Sequence, residues 1–198
     1  MSERRETQVL SLYPQALDAF GRLVHRVAPR QWSAPTPCTE WAVRDLVNHL
    51  TAEQLWVPEL LMGSTIAEVG GRFDGDVLDR DPGGVWDSAA DAAKEAFQVP
   101  GVEDLTVHLS YGDVAALAYC DQMTVDAVVH TWDLARGIGA EPGLSAELVD
   151  FALAEVSGYG EELAASGLFA PPVKVPADAS ALTRLLGLTG RRAGVPES

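Results

Sequence analysis

The sequence predicts an all-α protein, a helical bundle with extra short helices and one long crossover loop. Three observations support this fold class. Five segments carry apolar residues at helical spacing. Most of the connections between these segments have lengths that suit antiparallel helices. Only one short stretch alternates in the manner of a strand. Hydrophobic residues make up 47 % of the 198 positions, so the chain can bury a core and is not a disordered protein.

The first two predicted helices contain the N-terminal part of the apolar pattern. The first covers residues 7–28, with Pro14 near its start, where a helix tolerates proline best. The second covers residues 41–62, and Thr39 is expected to cap its N terminus. Pro58 lies inside this second helix and is expected to kink or shorten it.

The remaining chain is predicted to begin with a loop and then to be mainly helical. Residues 63–84 are rich in Gly and Asp, which indicates a long crossover loop with a short helical turn. Residues 104–113 fit either a short strand or an extended connection. The further helices are predicted at residues 85–98, 114–137 and 145–165, with Ser145 as a cap, and around Leu182, Leu185 and Leu186.

Charge and cysteine content exclude several function classes. The net charge is −15, and no basic stripe is present, so binding to nucleic acid or to an anionic membrane is disfavoured. The two cysteines, Cys38 and Cys120, form no CxxC pair, which excludes a thiolate zinc cluster. The N terminus lacks a secretory h-region, and no apolar run reaches the roughly 18 residues needed to span a bilayer. The expected location is the cytoplasm.

An ionisable stripe lies on the helix predicted at residues 114–137. Asp126, His130 and Asp133 follow one another at spacings of four and three and share one face. Such groups are costly on an inner face unless they are paired, hydrogen-bonded or bound to metal. The second helix offers His49, with Glu53 four residues later. His49, Asp126 and His130 would form a two-histidine, one-carboxylate metal site with an open position, as catalytic metals have.

Each of these residues also has a plainer interpretation. A DxxxH pair arises by chance on many helices, and a lone histidine on an apolar face is commonly a hydrogen-bonded core residue. Asp133 could orient His130 or pair with Arg44. Glu53 could be a fourth ligand, a general base or a solvated side chain. On a helical wheel Trp56 falls near Asp45, which places it at the rim of the predicted pocket.

Two long motifs carry a resemblance to a known family. "TPCTEWAVRDLVNHL" (36–50) and "DAVVHTWDLARGIG" (126–139) resemble the mycothiol-dependent maleylpyruvate isomerase N-terminal domain family of the DinB-like superfamily. Residues 72–84 and 169–191 also resemble its actinobacterial members, so one domain over residues 1–198 is expected. The resemblance implies a DinB-like four-helix bundle that holds a divalent metal through His49, Asp126 and His130.

The resemblance further implies a metal-dependent enzyme that uses a mycothiol-like thiol to modify or isomerise an electrophilic small molecule. The metal is expected to be zinc, with nickel or iron as alternatives. Glu53 and Asp133 are the expected catalytic residues, and Trp56 is expected to contact the thiol. The rival interpretations are a non-catalytic binding bundle and a thiol-independent, metal-assisted hydrolase with Glu53 as base. A homodimer is compatible with the sequence.

Two departures separate the chain from the isomerase. The isomerase has Glu where this chain has Asp126, and it carries a second, C-terminal domain that is not expected in this protein. Maleylpyruvate is therefore not expected to be the substrate. In family members Cys38 belongs to the "TPC" turn, which favours a small buried residue over a redox thiol or an extra ligand. The carboxylates of residues 74–82 do not fit an EF-hand and are expected to form a solvated loop.

Overall fold

A computed structural model describes residues 3–159 and 169–193, with side chains from Gln8 onward. The chain divides into two compact units, residues 1–142 and 143–198. The first unit contains the bundle. Its elements are α1 (Glu3–Val24), α2 (Val43–Leu61), α3 (Ile66–Val69), α4 (Pro82–Ala96), β1 (Thr106–Leu109), β2 (Gly112–Ala115) and α5 (Ala116–Ile138).

The first unit is a four-helix bundle with a small hairpin, which confirms the predicted all-α class. Helix α1 packs against α4 and α5, and α2 packs against the same two helices. Side chains that recur at helical spacing fill the centre, among them Tyr13, Leu17 and Phe20 of α1, each at most 1 % exposed. Burial of a side chain of this size is worth about 1.5–3 kcal/mol. Apolar periodicity therefore determines which face of each helix is inside.

The second unit contains α6 (Ala146–Tyr159) and α7 (Ala181–Leu188), which pack against each other. The Ser145 hydroxyl accepts a hydrogen bond from the amide of Leu148 at 3.2 Å, so the predicted cap of α6 is present. The predicted end of this helix at residue 165 lies outside the described residues. An extended segment crosses α7, where the Val173 amide donates to the Gly187 carbonyl at 2.8 Å. The expectation of a single domain remains a prediction.

Three predicted details of α1 and α2 are wrong. Pro14 lies in the interior of α1, because that helix begins at Glu3 rather than at residue 7. The N-cap of α2 is Ala42 rather than Thr39, and the Asp45 carboxylate accepts the Ala42 amide at 2.9 Å. Pro58 does not shorten α2, which continues to Leu61, whereas the alternative of a kink stays a prediction. A proline near the end of a helix removes only one backbone hydrogen bond.

The connection between α4 and α5 contains a β-hairpin. The sequence pattern indicated only the first of its two strands. β1 and β2 pair in antiparallel register, with His108 opposite Asp113. The imidazole Nδ1 of His108 lies 2.7 Å from the Asp113 carboxylate. Residues 114 and 115 therefore belong to β2, and α5 begins at Ala116. No helix in the described ranges is long and apolar enough to cross a membrane.

The long loop before α4 contains the predicted short helical turn, α3, which Thr65 caps. The four aspartates of residues 74–82 are exposed, as expected, but Leu78 among them is buried, and part of the stretch is bound to α2. The Arg44 guanidinium donates to Asp76 at 2.7 Å. The Asn48 side chain donates to the Gly75 carbonyl at 2.8 Å and accepts the Val77 amide at 2.8 Å. These bonds hold the loop against the helix that carries His49.

Candidate metal centre

Two helices of the first unit bring His49, Asp126 and His130 together. The Nε2 atom of His49 lies 3.6 Å from Asp126 Oδ2, and the Nε2 atom of His130 lies 3.4 Å from Asp126 Oδ1. The two imidazole rings are 5.4 Å apart and nearly perpendicular. One ligand atom from each of the three residues lies within 4.8 Å of the others. The two residues at i and i+4 on α5 and the histidine on α2 therefore lie close enough together to share one ion.

The spacing of these donor atoms fits a cation better than it fits hydrogen bonds. A charge-assisted hydrogen bond between imidazole and carboxylate closes to about 2.7–2.9 Å. Two ligands that each lie about 2.1 Å from a tetrahedral ion are themselves separated by about 3.4 Å. Asp126 Oδ2 is also buried without a hydrogen-bond partner among the described residues. An oxygen in that position needs positive charge nearby, which protonated imidazoles of His49 and His130 or a bound cation can supply.

The other nitrogen of His130 makes a conventional hydrogen bond. Its Nδ1 atom lies 2.9 Å from Asp133 Oδ2, and the Asp133 side chain is completely buried. A proton on Nδ1 that is donated to this carboxylate would leave Nε2 as the nitrogen able to bind a cation placed between His130 and Asp126. Of the two partners considered for Asp133, the structure brings His130 to it, whereas Arg44 donates to Asp76.

Cys38 also contacts this buried carboxylate. Its thiol donates to Asp133 Oδ2 at 3.2 Å, and its Sγ atom lies 3.8 Å from His130 Nδ1. The residue is half-buried rather than enclosed. Cys38, His130 and Asp133 thus form a second cluster of donor atoms, on the opposite side of the His130 ring from Asp126. Cys120, expected in the core, is completely buried.

The charges of the cluster shift the pKa values of its members. Burial raises the pKa of Asp126, but His130 and His49 outweigh it, so the pKa lies well below the usual range and the group stays a carboxylate. Burial lowers the pKa of His130, but Asp126 and then the bond to Asp133 raise it above its ordinary value overall. Burial, followed by the Asp126 charge, raises the pKa of Glu53. Glu53, one helical turn after His49, is thus subject to the charges of this cluster.

Aromatic rings complete the surroundings of the histidines. Trp41 lies with its ring centroid 4.6 Å from that of His49 and 5.8 Å from that of His130. Sequence reasoning did not select Trp41, although its place directly before α2 and close to Cys38 was visible. Trp56, which was selected, packs edge-on against Phe73 at 5.6 Å. Its contact with a thiol remains a prediction.

The hairpin turn lies beside the same helices. Tyr111, 63 % exposed, donates its hydroxyl to the Gln122 side chain at 2.6 Å. Gln122 precedes Asp126 by one turn of α5. Burial raises the pKa of Tyr111, and the Glu53 carboxylate adds to the rise. Gln122, to which this exposed phenol donates, thus precedes Asp126 by about one helical turn, roughly 6 Å along the axis.

Comparison with known proteins identifies the family of the chain. The sequence model of the mycothiol maleylpyruvate isomerase N-terminal domain matches residues 13–135, a range that contains all three candidate ligands. Two uncharacterized proteins of Mycobacterium tuberculosis, Rv0738 and MT0763, are each 32 % identical to the chain over 139 residues. These matches cover 70 % of this chain and 72 % of each relative. No solved structure matches the chain. The chain belongs to the mycothiol maleylpyruvate isomerase N-terminal domain family.

Proposed function

We propose that this protein is a metal-dependent enzyme that uses a mycothiol-like thiol to modify or isomerise an electrophilic small molecule. One observation carries the proposal most directly. His130 makes a 2.9 Å hydrogen bond through Nδ1, whereas its Nε2 stands 3.4 Å from Asp126, a separation typical of two ligands of one ion. Family membership indicates a mycothiol-related, metal-binding protein and supports the choice of thiol.

His49, Asp126 and His130 are the proposed ligands, and zinc is the first candidate, with nickel and iron as alternatives. Two imidazoles and one carboxylate suit all three metals. A divalent cation bound there would lower the pKa of a thiol or water that joins it. Three ligands from the protein leave a position for such a molecule.

The protein's own groups have distinct proposed roles around that position. Asp133 holds the proton of His130 Nδ1 and thereby keeps Nε2 available as a ligand. Glu53 is the proposed proton acceptor. Its pKa is raised, so its carboxylate is a stronger base than that of an ordinary glutamate. Trp41 covers both imidazoles and limits access of water from that side. Trp56 is the proposed contact for the thiol.

Metal content is the first test. Mass spectrometry on protein purified without an affinity tag should find about one equivalent of divalent metal, and little in His130→Ala, because three ligands are needed for tight binding. His25→Ala is the matched control, because that histidine is exposed and pairs with Asp87 at 2.9 Å. An unchanged metal content in His130→Ala, or no metal after reconstitution with zinc, would contradict the proposal.

Thiol dependence is the second test, and it separates the proposed enzyme from the hydrolase alternative. The metal-loaded protein should consume 1-chloro-2,4-dinitrobenzene or a conjugated enone only when mycothiol or a cysteine analogue is present. Glu53→Gln should lower this rate by about 10²–10⁴-fold if Glu53 acts as a base. Hydrolysis of an activated ester without added thiol, lost in Glu53→Gln, would instead indicate a metal-assisted hydrolase.

A further inference from the structure

The chain immediately before α2 forms a compact turn, residues 36–41, which we call the Thr36–Trp41 turn. The Thr36 hydroxyl accepts the Cys38 amide at 3.2 Å and donates to the Trp41 carbonyl at 2.8 Å. The Trp41 amide donates to the Cys38 carbonyl at 2.8 Å. These bonds close the turn upon itself and fix the directions of the Cys38 and Trp41 side chains.

Both of these side chains contact the candidate metal ligands or their support. The Cys38 thiol donates to Asp133 Oδ2 at 3.2 Å, the same oxygen that lies 2.9 Å from His130 Nδ1. The Trp41 ring lies against His49 and, at greater distance, against His130. One turn therefore reaches the site from two directions, although it supplies none of the three proposed ligands.

The close approach of the turn to α5 depends on a glycine. Gly137 follows Asp133 by one helical turn, and a Cβ atom placed on it would lie 3.0 Å from Val43 Cγ2 and 3.3 Å from the Pro35 carbonyl oxygen. The same added atom would lie 3.3 Å from the Thr36 methyl group. The absence of a side chain at Gly137 lets the turn pack directly on the helix that carries Asp126, His130 and Asp133.

We propose that the Thr36–Trp41 turn positions the metal ligands and that Cys38 is its principal positioning residue. The Cys38 thiol fixes the rotation of the Asp133 carboxylate. Asp133 in turn fixes the His130 ring with Nε2 toward Asp126. This inference rests on the proposed metal site and adds a residue that acts through Asp133 rather than by binding the ion. Outer hydrogen-bond partners of metal ligands commonly change metal affinity by about 10–100-fold.

The test compares zinc affinity in Cys38→Ala and Cys38→Ser, measured by competition with a chromophoric chelator on the full chain. Cys38→Ala should bind zinc about tenfold more weakly than the parent protein. Cys38→Ser should recover most of this loss, because a hydroxyl also donates to Asp133. Cys120→Ala is the matched control and should leave the affinity unchanged, since Cys120 is a core residue of α5. The cobalt-substituted protein gives a second readout, because its visible spectrum reports ligand geometry.

Different outcomes overturn different claims. A Cys38→Ala protein that binds zinc within about twofold of the parent would overturn the positioning role, given the 10–100-fold effects expected. Equal weakening in Cys38→Ala and Cys38→Ser would also overturn it, because the effect would then arise from packing of the turn. A parent protein that binds neither zinc nor cobalt would overturn the proposed function itself, and this inference with it. Thr36→Val, which removes the hydroxyl bonds of Thr36 within the turn and leaves its backbone bonds and the thiol in place, should also weaken zinc binding.

Discussion

At the scale of single residues, the site depends on the two nitrogens of His130 having different partners. Asp133 takes one nitrogen at hydrogen-bond distance, and Asp126 faces the other at a longer distance. Buried carboxylates are costly without compensation, yet Asp133 is 0 % exposed and Asp126 Oδ2 lacks a hydrogen bond among the described residues. For Asp133 the compensation comes from His130 and Cys38. For Asp126 the proposed cation would supply it.

Asp133→Asn should weaken zinc binding by about 10–100-fold, because a neutral amide holds the His130 Nδ1 proton less strongly than a carboxylate. Isothermal titration calorimetry with zinc measures this change. Asp113→Asn alters the His108–Asp113 pair of the hairpin, whose atoms lie 2.7 Å apart, and serves as the control. Equal affinities in the parent and Asp133→Asn would show that Asp133 does not support the ligand.

The two cysteines should differ in reactivity. Cys120 is 0 % exposed, and burial raises the pKa of its thiol well above the ordinary value, so the reactive thiolate is rare. Cys38 is half-buried and partly accessible. Iodoacetamide should therefore label Cys38 in the folded protein and Cys120 only after unfolding, as read by peptide mass spectrometry. If Cys120 were labelled in the folded protein as fast as Cys38, the buried position of Cys120 would be contradicted.

At the scale of secondary structure elements, periodic helices were predictable and their ends were not. The apolar pattern located α1, α2, α4 and α5 to within a few residues, because one face of each helix is buried over several turns. The start of α2 depends on the Thr36–Trp41 turn and on Asp45 at the first turn, so Thr39 was the wrong cap. Strand β2 has no alternation of its own and exists because β1 pairs with it.

Two glycines of the second unit predict opposite effects of the same substitution. A Cβ on Gly187 would lie 2.6 Å from Val175 Cγ1 and 2.9 Å from the Val173 carbonyl oxygen, so Gly187→Ala should destabilise the protein by about 1–3 kcal/mol. Gly158 lies in α6, where an added Cβ would meet no atom of the described residues within 4 Å, and Gly158→Ala should stabilise by up to about 1 kcal/mol. Urea denaturation of both variants measures these effects. A stabilising Gly187→Ala would mean that the extended segment moves aside freely.

The bond between Arg44 and Asp76 predicts a pH-dependent contribution of the loop to stability. The hydrogen bond from Arg44 lowers the pKa of Asp76, so the contribution is present above the ordinary carboxyl pKa of about 4 and is lost as the pH falls through the lower folded value. Asp76→Asn should cost at most about 1 kcal/mol at pH 7, because the pair is partly exposed. In acid denaturation profiles the difference from the parent should shrink as the pH falls below about 4 and should vanish once the carboxyl is protonated in the folded state as well. A difference that persists there would indicate another role for Asp76.

At the scale of the whole molecule, a metal that binds only the folded chain must stabilise it. Zinc at 100 times its dissociation constant adds about 2.7 kcal/mol to the free energy of unfolding. For a chain of this length each kcal/mol raises the melting temperature by about 2–4 °C, so calorimetry should show a rise of roughly 5–10 °C that EDTA reverses. His130→Ala should show little rise. An equal rise in both proteins would indicate that zinc binds at some other part of the acidic surface.

The sequence by itself determined the bundle and the three candidate ligands. The helical period places Asp126 and His130 on one face of their helix, and it places His49 on an inner face of the second helix. Residue spacing within each helix was therefore sufficient to select these candidates. Only the tertiary structure decided that Asp133 pairs with His130, that Arg44 binds Asp76, and that Cys38 and Trp41 reach the site. Cys38 and Asp133 are 95 residues apart in the chain. Contacts over such separations follow from how the helices and the turn pack, and the spacing of residues within one helix does not predict them.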